Sequence, residues 1–311
     1  MDHNAELREF LRTRRARLSP EEAGVPVDGT PRRVPGLRRE ELARLAGVST
    51  DYYTRLEQGR HLNVSETVLD AVARALRLDP AERTYLFELA RHRPRAARKR
   101  PGRPQRVRPE VRAVLDVLDA GGSPAFVLNG NGDMLATNRL ARALITDFDA
   151  LPFRDRNMAR FMFLDGAARE LYRDWEKYAS EMVASLRLAA GRDPDDRRLS
   201  ELVGELTIKS PEFRAWWADH DVREKTSGVK LYHHPVVGDM TLRYENVAFL
   251  GDSGQTMCIY TAEAGSPSEA ALRLLASWTA EARPEPEPEA SKAPARDADI
   301  ADMRSKRDHH R

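Results

Sequence analysis

Cysteine is nearly absent from this chain: Cys258 is the only one in 311 residues. That excludes an intrachain disulfide framework and any zinc cluster built on several thiolates. Its neighbours in TMCIYTA are mostly apolar, the setting of a buried, inert thiol. Long apolar runs are missing too, and no stretch approaches the ~20 consecutive apolar residues of a membrane-spanning helix. The first residues, MDHNAELREF, lack the apolar core of a secretory signal. With 32% charged residues and a mean hydropathy of -0.61, these absences predict a water-soluble, cytoplasmic protein with no membrane partner.

Neither sign of charge is scarce, but the two are unevenly spread along the chain. The net charge of +2 conceals an imbalance: residues 1–109 carry 24 Lys+Arg against 15 Asp+Glu, so the remainder is acidic. A basic front half next to an acidic back half predicts that the front alone meets a polyanion. Nearly all of that positive charge is arginine, whose planar fork suits bidentate contacts to phosphate and guanine.

Large apolar residues thin out in two places. Residues 93–109, RPRAARKRPGRPQRVRP, cannot support a core and read as a basic Pro/Arg-rich linker that adds salt-dependent, non-specific affinity for DNA. Residues 282–311 are charged and rich in Pro and Ala, a composition that predicts a disordered tail. Two folded units remain, 4–92 and 110–281.

The first unit reads as five helices. Leu7, Phe10 and Leu11 give one apolar stripe, and Val68, Leu69, Val72 and Leu76 give another, opened by Ser65 as a cap. Asp79-Pro80 starts the last helix with a favoured cap and a first-turn proline.

Between these lies the segment that carries the chemistry, Arg38-Arg39-Glu40-Glu41-Leu42-Ala43-Arg44-Leu45-Ala46-Gly47-Val48-Ser49-Thr50-Asp51-Tyr52-Tyr53-Thr54-Arg55-Leu56. Two steeply crossed helices need a small residue where they touch, which Ala43 supplies. The tight turn needs a residue that tolerates a left-handed backbone, which Gly47 supplies four positions later. Ser49 caps the second helix, and Tyr53 and Leu56 turn its buried face inward. Such a recognition helix presents its first residues to the major groove of double-stranded DNA. The candidate DNA contacts are therefore Ser49, Thr50, Asp51, Tyr52, Thr54 and Arg55, with Arg38 and Arg39 near the phosphate backbone. Arg55 has two readings: it contacts guanine, or it pairs with Asp51 four residues earlier.

The second unit is mixed α/β. AFVLN (125–129) and DMLAT (133–137), joined by Gly130-Asn131-Gly132, read as a hairpin, and strands are predicted at 229–234, 239–250 and 256–262. Leu171, Trp175, Tyr178, Met182, Leu186 and Ala189 step at helical spacing and predict one long helix. Further helices are expected at 195–207, 211–219 and 268–281. The natural architecture is an antiparallel sheet with helices on one face. Nothing here reads as an enzyme. Asp165, Glu170, Asp174 and Glu176 scatter around a helix, His233 and His234 point to opposite faces of a strand, and no nucleophile motif accompanies His220-Asp221. No catalytic residue, metal site or cofactor is expected.

The segment GLRREELARLAGVSTDYYTRLEQGR resembles the xenobiotic-response-element family of phage-repressor-type regulators. The second unit resembles an MmyB-like ligand-binding domain, through GSPAFVLNGNGDMLATN (122–138), RNMARFMFLD (156–165), LYRDWE (171–176), SPEFRAWWADHDV (210–222) and HPVVGDMTLRYE (234–245). The resemblance implies a multidomain protein, a helix-turn-helix domain followed by a PAS-like α/β domain. It also implies a homodimeric, nucleoid-associated transcription regulator whose second domain binds an apolar small molecule such as a fatty acid. The chain departs from the pattern at Thr137, where Trp is common, and at Gly166, where Pro is usual; the first bears on pocket size. A carboxylate ligand needs buried cationic or amide donors, and Arg156, Asn157, Arg214 and His220 stand in the matching segments as candidates. A rival reading is a small-molecule carrier or partner-binding protein whose helical domain only dimerises.

Overall fold

The computed structural model describes residues 3–26, 36–60, 64–90, 105–222, 226–250 and 254–281. The expected tail and the expected linker before residue 105 lie outside these described residues.

Five helices make the first unit: α1 (His3–Arg17), α2 (Arg39–Ala46), α3 (Thr50–Glu57), α4 (Glu66–Ala75) and α5 (Pro80–Ala90). Their apolar stripes meet as predicted, with Phe10, Leu11, Leu42, Tyr53, Leu56, Val72 and Leu86 fully enclosed in one cluster. The caps form too. Ser65 Oγ accepts from the Val68 amide at 3.3 Å, and Asp79 and Glu82 cap each other's backbone N–H reciprocally at 2.8 and 3.0 Å. Each such cap contributes about 1 kcal/mol to helix stability.

The second unit opens with α6 (Pro109–Ala120) and the hairpin of β1 (Ala125–Asn129) and β2 (Met134–Thr137). Short helices α7 (Arg139–Leu144), α8 (Met158–Leu164) and α9 (Gly166–Leu171) follow, then the long α10 (Trp175–Arg192), α11 (Arg197–Lys209) and α12 (Pro211–Ala218). Strands β3 (Ser227–His234), β4 (Gly238–Ala248) and β5 (Gln255–Thr261) and a final helix α13 (Pro267–Glu281) complete the unit. The five strands form one antiparallel sheet in the order β2-β1-β5-β4-β3, matching the expected fold class.

Two expectations need correction. Helices cover parts of both sheet faces. Successive strand residues point to opposite sides, so Phe126 and Cys258 enter the main core, while Ala125, Val127 and Met257 face Val111 and Leu115 of α6. The long helix is also interrupted. Leu171 ends α9, Tyr172 is extended and forms a β-bridge with Tyr232, and α10 begins only at Trp175. The bridge draws the chain onto β3 and aligns the rings of Tyr172 and Tyr232, 5.2 Å apart.

Candidate nucleic-acid interface and ligand cavity

The turn between α2 and α3 is built as the residue types require. Gly47 has φ 68° and ψ 30°, a left-handed conformation that costs an L residue roughly 1–2 kcal/mol. The Val48 amide then donates to the Ala43 carbonyl at 3.0 Å, closing α2. Ala43 is 1% exposed, where a larger side chain would push the helices apart. Ser49 Oγ accepts from the Tyr52 amide at 3.1 Å and starts α3. At the other end of α2, the Glu41 carboxylate accepts from the Arg38 amide at 2.6 Å.

This capping leaves one face of α3 in solvent. Ser49, Thr50, Asp51 and Arg55 are exposed and Tyr52 and Thr54 half-buried, while Tyr53 and Leu56 are enclosed. The six predicted α3 contacts therefore share a face or lie at its edge. Arg55 is hydrogen-bonded to Asp51, one helical turn back, so in this state its guanidinium is engaged. The pair is solvent-exposed and correspondingly weak, so the guanidinium is free to exchange it for another partner at little cost.

Arg38 and Arg39 differ in their settings. Arg38 stays near Glu40 at 3.7 Å. Arg39 reaches across to Glu57 with two bonds of 3.0 and 2.9 Å, although its side chain remains 48% exposed. The same Glu57 accepts Arg15 of α1 at 2.9 and 3.1 Å. Burial pushes the Glu57 carboxyl up, but the hydrogen bonds and charges of Arg15 and Arg39 outweigh it and hold the group below the usual carboxylate range. Glu57 thus ties α1, α2 and α3 together behind the exposed face of α3. Sequence reasoning passed over it; the available signal was an acidic residue closing an otherwise apolar inward stripe, Tyr53, Leu56, Glu57.

The four predicted ligand residues are not gathered at one site. Arg156 clamps its own loop, bonding the Leu151 and Asp149 carbonyls and the Asp149 carboxylate at 2.8 to 3.1 Å. Asn157 is buried and caps α8, accepting from the Ala159 and Arg160 amides while donating to the Asn131 carbonyl and to Asp133. Arg214 is exposed, 3.5 Å from the Thr207 carbonyl. His220 sits where the two units meet, 2.9 Å from Arg187.

A cavity of about 200 Å³ lies instead between the sheet and α10. Phe126, Leu128, Met158, Met182, Leu186 and Ala189 supply apolar walls, and Cys258 is part of the lining. Its polar lining includes Ser185, Arg192, Asn246, Thr256 and Lys230. Lys230 Nζ donates to Tyr260 Oη at 2.8 Å and lies 5.3 to 5.8 Å from the ring centres of Tyr172, Tyr178, Tyr244 and Tyr260. Faces of aromatic rings stabilise a cation. None of Arg156, Asn157, Arg214 and His220 lines this cavity, and neither does Thr137, which is 3.4 Å from Asp149. Lys230 was missed because its setting comes from distant elements: Tyr172 before α10, Tyr178 in α10, Tyr244 in β4 and Tyr260 in β5.

Among the described residues no helix is long and apolar enough to cross a membrane, and no cluster of three or more His, Cys, Asp or Glu side chains is poised to hold a metal ion.

Comparison with protein families matches residues 6–86 to a helix-turn-helix domain and residues 107–275 to the MmyB-like transcription regulator ligand binding domain. A search of curated proteins finds no match to the chain. The second match spans more than half of the sequence, and its boundaries enclose the five-stranded sheet and the cavity. The helix-turn-helix domain and the α/β ligand-binding domain together make a DNA-binding transcription regulator, and the chain belongs to the MmyB-like transcription regulator family.

Proposed function

We propose that this regulator acts on the chromosome in the cytoplasm as a homodimer whose DNA binding is modulated by an apolar carboxylate, such as a fatty acid, held in the cavity beneath α10. One observation carries the reading: the cavity has a largely apolar wall and, on one side, a single lysine set among tyrosine rings. An alkyl chain fits the first and a carboxylate head the second, since a charge-assisted bond to an ammonium is the strong kind of polar contact. Two copies would set their α3 helices on half-sites about 34 Å apart, one turn of duplex. The regulatory reading involves no catalytic step.

The test has two arms on the full chain. Selection of bound fragments from random double-stranded DNA, near physiological salt, is expected to enrich an inverted repeat. A carrier or partner-binding protein whose helical domain only dimerises enriches none. Calorimetric titration with dodecanoate is expected to show saturable binding that Lys230→Met weakens by roughly tenfold to a hundredfold, the worth of one charged hydrogen bond. Equal affinity in the variant would remove Lys230 from the site.

A further inference from the structure

The junction between the two units rests on α10. Met182, Ser185, Leu186 and Ala189 recur at i, i+3, i+4 and i+7 and line the cavity. Arg187 and Gly191, four residues apart, lie on the opposite side of the same helix. Arg187 is completely buried and bonds Glu6 of α1 and the Trp217 carbonyl, with its guanidinium 4.2 Å from the centre of the Trp217 ring. Gly191 meets Tyr85 of α5 so closely that a Cβ there would stand 2.3 Å from the ring. Leu188, between these two sides, both lines the cavity and belongs to the core of the helical domain.

Two features make this wall unable to absorb a push. The cavity holds about 200 Å³ between the sheet and α10, so bulk added from one wall presses on the other. On the sheet side the wall is a hydrogen-bonded ladder in continuous register through β1, β5 and β4. On the other side is α10, and behind it Gly191 has no space before Tyr85. Packed interiors transmit such displacements rather than compress. His220, which joins the junction beside Arg187, holds φ 53°, a conformation uncommon for a residue with a side chain, so its turn depends on the contacts around it.

We infer that α10 is a shared wall between cavity and DNA-binding domain, so that filling the cavity drives α10 against α5 and loosens the docking of the helical domain on the sensor. In the undocked form the two recognition helices of a dimer are no longer held at a fixed separation. The natural occupant follows from the function proposed above; the mechanical link does not depend on it.

The link is tested without any ligand, by filling the cavity from either side in the full chain. Ala189→Phe adds bulk from α10 and Thr256→Phe from β5, while Arg187→Met releases the junction directly. Hydrogen exchange is read at the amides of α1 and α5, with β3 and β4 as the internal standard. Both cavity variants are expected to speed exchange in α1 and α5 about tenfold, within the usual range of allosteric coupling, and to match Arg187→Met in pattern. Exchange in α1 and α5 at the wild-type rate in both cavity variants, with Arg187→Met accelerated, would overturn the inference. Where a phenylalanine unfolds the sensor, seen as lost protection in β3 and β4, Ala189→Leu takes its place. Failure of dodecanoate to bind the wild type bears only on the ligand reading, because the cavity variants are scored in its absence.

Discussion

At the scale of single residues, Arg55 and Glu57 of the helix-turn-helix stand in opposite settings. Arg55 is exposed and, among the described residues, its side chain pairs with Asp51, so its loss leaves the fold intact. Arg55→Ala is expected to weaken operator binding by on the order of tenfold and to relax preference at one base pair, read by repeating the DNA selection with the variant. A uniform loss over all sequences would assign Arg55 to phosphate instead. Glu57 is the opposite case. Glu57→Gln leaves Arg15, itself 8% exposed, without its buried counter-charge. Removing one partner of a buried pair costs about 3 kcal/mol, so urea unfolding of the helical domain is expected to shift by that amount. Arg39, released from Glu57, then becomes a free phosphate ligand, and weak non-specific DNA binding is expected to hold or increase while stability falls.

At the scale of elements, what was legible was what is local. Gly47 is the residue that the left-handed turn demands, and Gly47→Ala is expected to cost about 1 kcal/mol in thermal unfolding, because the α2–α3 turn must hold a positive φ with a Cβ present. The caps at Ser49, Ser65 and Asp79 lie within three residues of the amides they satisfy, so a sequence window contains the whole interaction. The alternation in β4 was readable for the same reason. The end of α9 was not: helical spacing continues through Leu171 and Trp175, and the interruption is imposed by Tyr232, sixty residues on. Nor was the position of α6 on the second sheet face, which depends on where β1 and β5 run. The polar ligand candidates failed to converge for a related reason. Arg156 and Asn157 are drawn into the loop and cap hydrogen bonds nearest to them, and an Arg or Asn in a recognisable segment does not reveal whether its partner is a ligand or its own backbone.

At the scale of the whole molecule, the docking of the two units is an electrostatic assembly, which makes it dependent on pH. Around Glu6 stand Arg187 of α10, His220 beyond α12 and Tyr85 of α5, whose hydroxyl donates to Glu6 at 2.8 Å. Beside them Arg14 and Arg17 of α1 meet Glu82 of α5 and Asp221. Burial pushes the Glu6 carboxyl up, but the hydrogen bond to His220 and the charges of Arg187 and His220 outweigh burial and hold it at about 2, against an ordinary value of 4.5. Undocked, Glu6 returns toward that ordinary value and binds a proton more readily than in the docked form. The stabilisation is therefore complete above pH 4.5 and is lost as pH falls toward 2, since protons favour whichever state takes them up. Small-angle scattering of the full chain is expected to show constant dimensions from neutral pH down to the ordinary carboxylate range, and expansion below it. Glu6→Gln removes the titrating group, and leaves Arg187 without its carboxylate, so the variant is expected to be more expanded at neutral pH and to change less on acidification. If wild type and variant expand together over one acid interval, the acid response does not come from Glu6, and the Glu6–Arg187 contact contributes packing alone.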